Sequence, residues 1–270
     1  MATLRSIWIW AASATLIALW LPLVAFVRLL DRDPARYATG RWFRRLGLIL
    51  TRINPNWKIE ISGDLVPDPR RPYVVVCNHQ SLGDIPIISR LPWEMKWVAK
   101  AELFRIPFVG WMMQIAGDIP VDRADKMSGA RAFVLAKEYL QKKCSVMFFP
   151  EGTRSQDGRV YAFNDGAFRL AIKSGLPILP LALDGAQDAL PKHSWKFGNA
   201  RSRIRLKVLP PVETGGLKAG DTAALRDRVR GMIIQQIAEW RGVPPGQVDA
   251  GDEVAAEEAE IKNSVNTPAA

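Results

Sequence analysis

Histidine is scarce in this chain, with two copies in 270 residues, and one of them stands where chemistry is easily done. His79 follows a run of strand-forming residues, Tyr73–Cys77, and Asp84 comes five residues later. An imidazole takes up a proton near neutral pH, and a carboxylate brought back by a turning loop fixes its tautomer and stabilises the imidazolium. The same pair has a plainer reading, with Asp84 as a helix cap and His79 as a surface loop residue. A second segment, Phe149 to Ser155, also leaves an apolar run and holds a carboxylate (Glu151), a glycine (Gly152), a hydroxyl (Thr153) and a guanidinium (Arg154). Arginine suits phosphate because its planar fork donates two parallel hydrogen bonds. A third segment, Gly117 to Arg123, offers another guanidinium, and a fourth, Leu176 to Leu181, leads into a further apolar run.

The elements that must position these groups alternate in type. Trp57–Ile61, Tyr73–Cys77, Lys96–Ala99, Ser145–Phe149 and Ile178–Leu183 read as strands, the second, fourth and fifth as buried ones. Helices are predicted from Asp84, with Pro86 in the first turn, around Ala101–Phe104 and Phe108–Ala116, and over Lys126–Lys142 and Gly166–Lys173. Arg203–Val208 alternates basic and apolar residues, as in a half-exposed strand. A last helix, capped by Asp221, carries Leu225, Val229, Met232, Ile233, Ile237 and Trp240 as its apolar stripe. This order predicts one α/β domain over residues 57–241, a mostly parallel sheet flanked by helices. Loops leaving the carboxyl ends of such strands are where α/β sites gather.

Ahead of the domain, Ile7–Val27 contains no charged residue. As a helix it matches the roughly 30 Å of bilayer hydrocarbon, with Trp8 and Trp10 near one end and Pro22 predicting a kink. The run outlasts a signal peptide's apolar stretch, and no small-residue cleavage site closes it before Asp31, so residues 1–33 read as a retained membrane helix. Seven arginines follow, from Arg28 to Arg52. They set the body on the cytoplasmic side if the helix spans. Residues 34–56 read either as an interfacial amphipathic helix or as a helix packed on the body. Residues 242–270 are rich in Pro and Gly and then acidic, and read as a disordered tail.

The formal charge is +10, and the acidic tail makes the body more basic still, which points to a phosphate-bearing partner. Nucleic acid fits poorly, since no P-loop, zinc-finger or RNP pattern accompanies the charge and the apolar N-terminus has no place in that reading. Two cysteines exclude a disulfide scaffold. With two histidines and no Cys-x-x-Cys pair, no metal site is expected. Ser81 lies too close in sequence to His79 and Asp84 for a hydrolase triad, and no Gly-x-Ser-x-Gly elbow occurs. Cys77 ends a valine run and reads as packing rather than as a nucleophile, and His193 reads as a solvated loop residue.

In order, the four segments resemble the sequence blocks of the glycerolipid acyltransferase family. The blocks are Asn-His-x-x-x-x-Asp (78–84), Gly…Val-Asp-Arg (117–123), Phe-Pro-Glu-Gly-Thr-Arg (149–154) and Leu-Pro-Ile-Leu-Pro (176–180). The chain is most similar to members acting on 1-acylglycerol-3-phosphate. The resemblance implies transfer of a fatty acyl group from a thioester, acyl-CoA or acyl-carrier protein, to the sn-2 hydroxyl, giving phosphatidic acid. It implies no cofactor and no covalent enzyme intermediate. His79 is implied as general base and Asp84 as its orienting acid. Arg123 and Arg154 are implied as contacts to the acceptor phosphate, with Glu151, Gly152 and Thr153 shaping the loop and Lys100 near the same phosphate. Pro120 departs from the usual second block. Trp93–Met113 is then either core or, in part, the lining of an acyl groove. Glycerol-3-phosphate, a lyso-ornithine lipid or another lysophospholipid are alternative acceptors, and a membrane-bound lipid-binding protein is the non-enzymatic alternative. The expected setting is a bacterial inner membrane, with membrane lipids as partners and the domain on the cytoplasmic side.

Overall fold

A computed structural model describes residues 2–65, 68–122, 124–192, 194–198 and 201–251. Helices α1 (Ala2–Leu30) and α2 (Tyr37–Ile53) lead into strand β1 (Trp57–Gly63). Then come β2 (Val74–Cys77), α3 (Asp84–Ile88), β3 (Met95–Lys100), α4 (Val109–Ala116), β4 (Ile119–Val121), α5 (Lys126–Gln141) and β5 (Ser145–Phe148). The chain closes with α6 (Gly166–Ser174), β6 (Ile178–Asp184), α7 (Ala186–Ala189), β7 (Ser202–Val208) and α8 (Thr222–Arg241). The sheet order is β1-β7-β6-β2-β5-β3-β4. Every pairing is parallel except β6 with β7. The carboxyl ends of β6, β2, β5, β3 and β4 therefore share one edge, the edge on which the His79 and Glu-Gly-Thr-Arg loops were expected, whereas the fourth block opens β6 at its amino end.

Strand β2 lies at the centre, fully buried. Its side chains alternate: Val74 and Val76 join the core under α5, α6 and α8, whereas Tyr73, Val75 and Cys77 join the core on the α3 side. Two short elements had no sequence signal long enough to read, β4 with three residues and α7 with four. Asp221 does not cap α8 through its side chain, which instead accepts from Lys218 N at 2.7 Å.

Helix α1 runs unbroken through Pro22, so the proline does not end it. Thr3–Leu30 is long and apolar enough to cross a membrane, with a mean hydropathy of 2.0. It does not stand apart from the body. Val24, Leu46 and Met112 form a small core where α1, α2 and α4 meet. Near the other end, Trp10 Nε1 donates to Trp195 O at 2.7 Å, and Ser6 Oγ accepts from Phe197 N at 3.1 Å. Leu4, Ile7, Trp8, Leu19, Phe26 and Leu29 remain exposed along it.

Helix α2 takes the packed alternative. Its Arg44 is buried and ion-pairs with Asp118, which also accepts from Trp97 N at 3.0 Å. Beside this pair, Lys96 bonds Glu94 at 3.1 Å with both side chains wholly buried. Gly40 lets the helix approach, since a Cβ there would lie 1.9 Å from Glu94 Oε1. Arg36 and Arg41 also turn inward, donating to the carbonyls of Gln114 and Leu91. The arginine run that follows the apolar segment is thus partly spent inside the fold.

The predicted tail begins too early. Residues 242–251 are ordered: Val248 and Ala250 are buried, Val160 N donates to Val248 O at 2.8 Å, and Arg230 ion-pairs with Asp249. Average composition hid two well-placed apolar residues and one paired acid. The rest of the predicted tail, 252–270, lies outside the described residues.

Removing one member of a buried ion pair strands its partner without solvent. Asp118→Ala is expected to cost about 3–5 kcal/mol, read as a lowered unfolding midpoint. Glu60→Ala, which breaks exposed pairs with Arg203 and Lys58, is expected to leave that midpoint nearly unchanged.

Candidate active site

The loop after β2 is pinned before it reaches His79. Asn78 mimics a strand residue, its Nδ2 donating to Leu183 O at 2.8 Å and its Oδ1 accepting from Leu183 N at 2.9 Å. The loop then turns around Asp84, which sits in the first turn of α3 rather than at its cap. Asp84 Oδ2 collects three donors: Gln80 N at 2.7 Å, Ser81 N at 2.9 Å and His79 Nδ1 at 2.7 Å. Asp84 is wholly buried, so its orientation is set by these donors and not by solvent. With Nδ1–H facing the carboxylate, His79 Nε2 is the nitrogen left able to take a proton.

The loop after β5 reaches the same histidine from the other side. Glu151 Oε1 accepts from His79 N at 2.6 Å, and its Oε2 accepts from Tyr161 N at 3.0 Å. Ser155 N donates to His79 O at 2.7 Å. The ring of His79 stacks on Phe149, with centroids 3.9 Å apart and planes 16° from parallel. Gly152 has φ 77°, in the left-handed region, so the turn between Glu151 and Thr153 favours glycine. Burial raises the Glu151 carboxyl to about 8, against an ordinary value of 4.5, although its two backbone N–H partners pull the other way.

Of the residues singled out from sequence, His79, Asp84, Glu151, Gly152, Thr153 and Arg154 are brought together. Arg154 is half-buried, and its guanidinium makes no hydrogen bond or ion pair with the described residues. Lys100 stands at the same sheet edge but is exposed and pairs with Glu102 at 3.1 Å. Arg123 and His193 lie outside the described residues. Cys77 is fully buried, which pushes its thiol well above the usual range and leaves it no role as a nucleophile.

Two cavities flank the loop. One, of about 420 Å³, is almost wholly apolar and reaches the histidine loop at Leu82 and Gly83; α1 supplies Ile9, Trp10 and Ile17, and the far wall includes Trp97 and Met113. Its charged lining is the buried pair Arg44–Asp118. The other, of about 380 Å³, is bounded by Val98, Val121, Phe149, Gly152 and Asn164. The aromatic stretch Trp93–Met113 thus divides, with Trp97 and Met113 lining the first cavity and Trp93 and Met112 in the core.

Two features escaped the sequence reading. Phe149 is the ring under His79, and its place at the end of an apolar strand looked like simple packing. Lys192 reaches the Glu-Gly-Thr-Arg loop from beyond β6, donating to Arg154 O at 2.8 Å and to Thr153 Oγ1 at 3.3 Å. The rule that strands deliver groups at their carboxyl ends was the available signal for it.

Fold and site define an α/β protein that works from the carboxyl edge of a parallel sheet, with a histidine–carboxylate pair beside an arginine-bearing loop. A family model described as Acyltransferase matches residues 58–184. The chain is 39% identical over 181 residues to the chloroplastic 1-acyl-sn-glycerol-3-phosphate acyltransferase LPAT1 of Arabidopsis thaliana, covering 67% of this chain and 50% of that one. It is 37% identical over 186 residues to the human 1-acyl-sn-glycerol-3-phosphate acyltransferase alpha, covering 67% and 64%. To a Pseudomonas aeruginosa protein of the same enzyme name it is 29% identical, covering 87% and 86%. The crystal structure of the LPA acyltransferase PlsC from Thermotoga maritima superposes with a TM-score of 0.75 at 27% identity, covering 89% of this chain and 96% of that one. Residues 58–184 therefore carry a domain of the acyltransferase family. The chain spans about half the length of the plant relative and just under two thirds of the human one.

The raised Glu151 carboxyl has a measurable consequence. Between about pH 4.5 and 8 the folded chain holds a proton there that the unfolded chain has released. Stability from this group is therefore present below that window and lost as pH rises through it. Glu151→Gln cannot titrate, so the parent is expected to lose stability relative to that variant as pH rises from 5 to 8. A stability difference flat with pH would show that Glu151 stays ionised throughout.

Proposed function

We propose that this chain transfers a fatty acyl group from a thioester, acyl-CoA or acyl-carrier protein, to the sn-2 hydroxyl of 1-acylglycerol-3-phosphate, giving phosphatidic acid. The observation that carries the reading is the His79 ring held by Asp84 at 2.7 Å, with the Glu-Gly-Thr-Arg loop bonded directly to the same residue. In the proposed reaction His79 Nε2 takes the hydroxyl proton as the oxygen attacks the thioester carbonyl. The tetrahedral intermediate collapses with cleavage of the C–S bond, and the imidazolium returns the proton to the departing thiolate. Asp84 keeps the ring in the required tautomer and offsets its charge while it is protonated. The thioester is already activated, so the reaction as proposed uses no cofactor.

Two further features support it. The half-buried, unpartnered guanidinium of Arg154 suits a phosphate that arrives with the acceptor. The apolar cavity ending at Leu82 and Gly83 suits an alkyl chain whose carbonyl reaches the histidine loop. Arg123 and Lys100 are proposed to add to the phosphate field. A lipid-binding protein with no reaction to run would not need the base.

We further infer that the protein works at a membrane, with α1 lying along the body in one leaflet. Contacts to the body near both ends of α1, with a bare apolar outer face, support that arrangement over a free-standing span. A match covering 87% of this chain and 86% of a Pseudomonas aeruginosa relative supports a bacterial inner membrane. The positive charge of Arg28, Arg32, Arg45 and Arg52 beside α1 suits the anionic cytoplasmic leaflet and so supports a cytoplasmic domain.

The test is an assay of purified protein with labelled acyl-CoA and acyl-carrier protein against lysophosphatidic acid, glycerol-3-phosphate, lyso-ornithine lipid and other lysophospholipids. Product is expected with lysophosphatidic acid, and turnover with another acceptor alone would replace the assignment. His79→Ala should lower kcat by about 10²–10⁴-fold with the fold intact. Arg154→Ala should chiefly raise the acceptor KM, and an unchanged KM would remove Arg154 from the phosphate site.

A further inference from the structure

The loop that follows β6 brings a cation to the site from outside the four sequence blocks. Leu190 O accepts from Ser81 Oγ at 2.6 Å, which ties this loop to the histidine loop. Two residues later, Lys192 Nζ donates to Arg154 O at 2.8 Å and to Thr153 Oγ1 at 3.3 Å. Strands β6 and β5 lie on opposite sides of β2, so Lys192 links the two loops that flank His79. Its ammonium does two things there. It fixes the carbonyl of Arg154, and with it the direction in which that residue leaves the chain. It also brings a positive charge to the loop that carries the guanidinium the described residues leave unpaired.

We propose that Lys192 is a positioning residue for phosphate recognition: by holding the Thr153–Arg154 backbone it presents the Arg154 guanidinium to the phosphate monoester of the acceptor. The proposal rests on the reading of the acceptor given above. Lysine donates to the carbonyl through a compact ammonium, and arginine at the same place keeps a donor within reach, whereas methionine keeps the stem and removes the donor.

The experiment uses the full chain carrying His79→Ala, which halts turnover, and measures binding of lysophosphatidic acid and of the matching monoacylglycerol, which lacks the phosphate. Lys192→Met is expected to weaken lysophosphatidic acid about tenfold and leave monoacylglycerol unchanged, while Lys192→Arg stays within about threefold of the parent. On an Arg154→Ala background, Lys192→Met is expected to add nothing, because residues acting through one group are non-additive. With His79 restored, Lys192→Met should raise the acceptor KM, with kcat within about twofold and the acyl-CoA KM unchanged. The proposal is overturned by any of four results: an unchanged lysophosphatidic acid affinity, equal losses for both lipids, losses that multiply with Arg154→Ala, or a rise confined to the acyl-CoA KM. Lys192-dependent binding without turnover in the parent would defeat the acyl-transfer reading and leave this proposal standing. Turnover that ignores Lys192 would do the reverse.

Discussion

Two carboxylates hold one histidine, and the rest of the site is arranged around that fact. Asp84 takes the ring at Nδ1 while Glu151 takes the backbone N–H of the same residue. A carboxylate taken from water is costly unless donors replace the lost solvation. Main-chain N–H groups answer part of that demand, Gln80 and Ser81 for Asp84 Oδ2, His79 and Tyr161 for Glu151, whose carboxyl burial nevertheless holds up at about 8. These donors come from loops and not from helix or strand ladders, so each acid also organises the loop it sits in. The stack on Phe149 leaves the ring little freedom to swing.

The N-terminal helices reach the same site. Ile9, Trp10 and Ile17 of α1 wall the apolar cavity, and Phe43 and Arg44 of α2 continue it. A helix of this apolar character would ordinarily be read as an anchor and nothing more. Here an exposed apolar surface and a surface that lines the cavity belong to one helix, so in the proposed reading an alkyl chain has only the helix to pass between bilayer and site. The buried cluster of Arg44, Asp118, Glu94 and Lys96 fastens α2 to β3 and to the segment entering β4. It brings ion pairs into a region otherwise apolar, where position is set more sharply than packing alone would set it.

Charge is used more locally than its total suggests. The excess of basic residues invites a reading of a broad positive face, yet Arg36, Arg41 and Arg44 satisfy internal carbonyls and acids. On β7, Arg203 and Arg205 pair with Glu60 and Asp184, and Lys207 bonds Gln236. Arg32 and Arg228 also lack a partner among the described residues but are exposed, whereas the unpaired guanidinium of Arg154 belongs to a half-buried residue in the loop beside His79.

The sequence by itself determined most of the elements and marked the groups of the candidate site. Long apolar runs and their spacing marked the buried strands and most helices, since burial on a sheet demands those residue types. The spacing of His79 and Asp84 was short enough for one loop to close. The tertiary structure decided what depends on distant segments meeting. It made α2 a packed helix, because its arginines found carbonyls and acids some 50 to 80 residues away. It ordered residues 242–251, because Asp249 and Val248 found Arg230 and Val160. It put Phe149 under the histidine and brought Lys192 to Arg154 across 38 residues of chain. Local pattern reports which face of an element is apolar. Only the closing of the sheet tells which loops end up side by side.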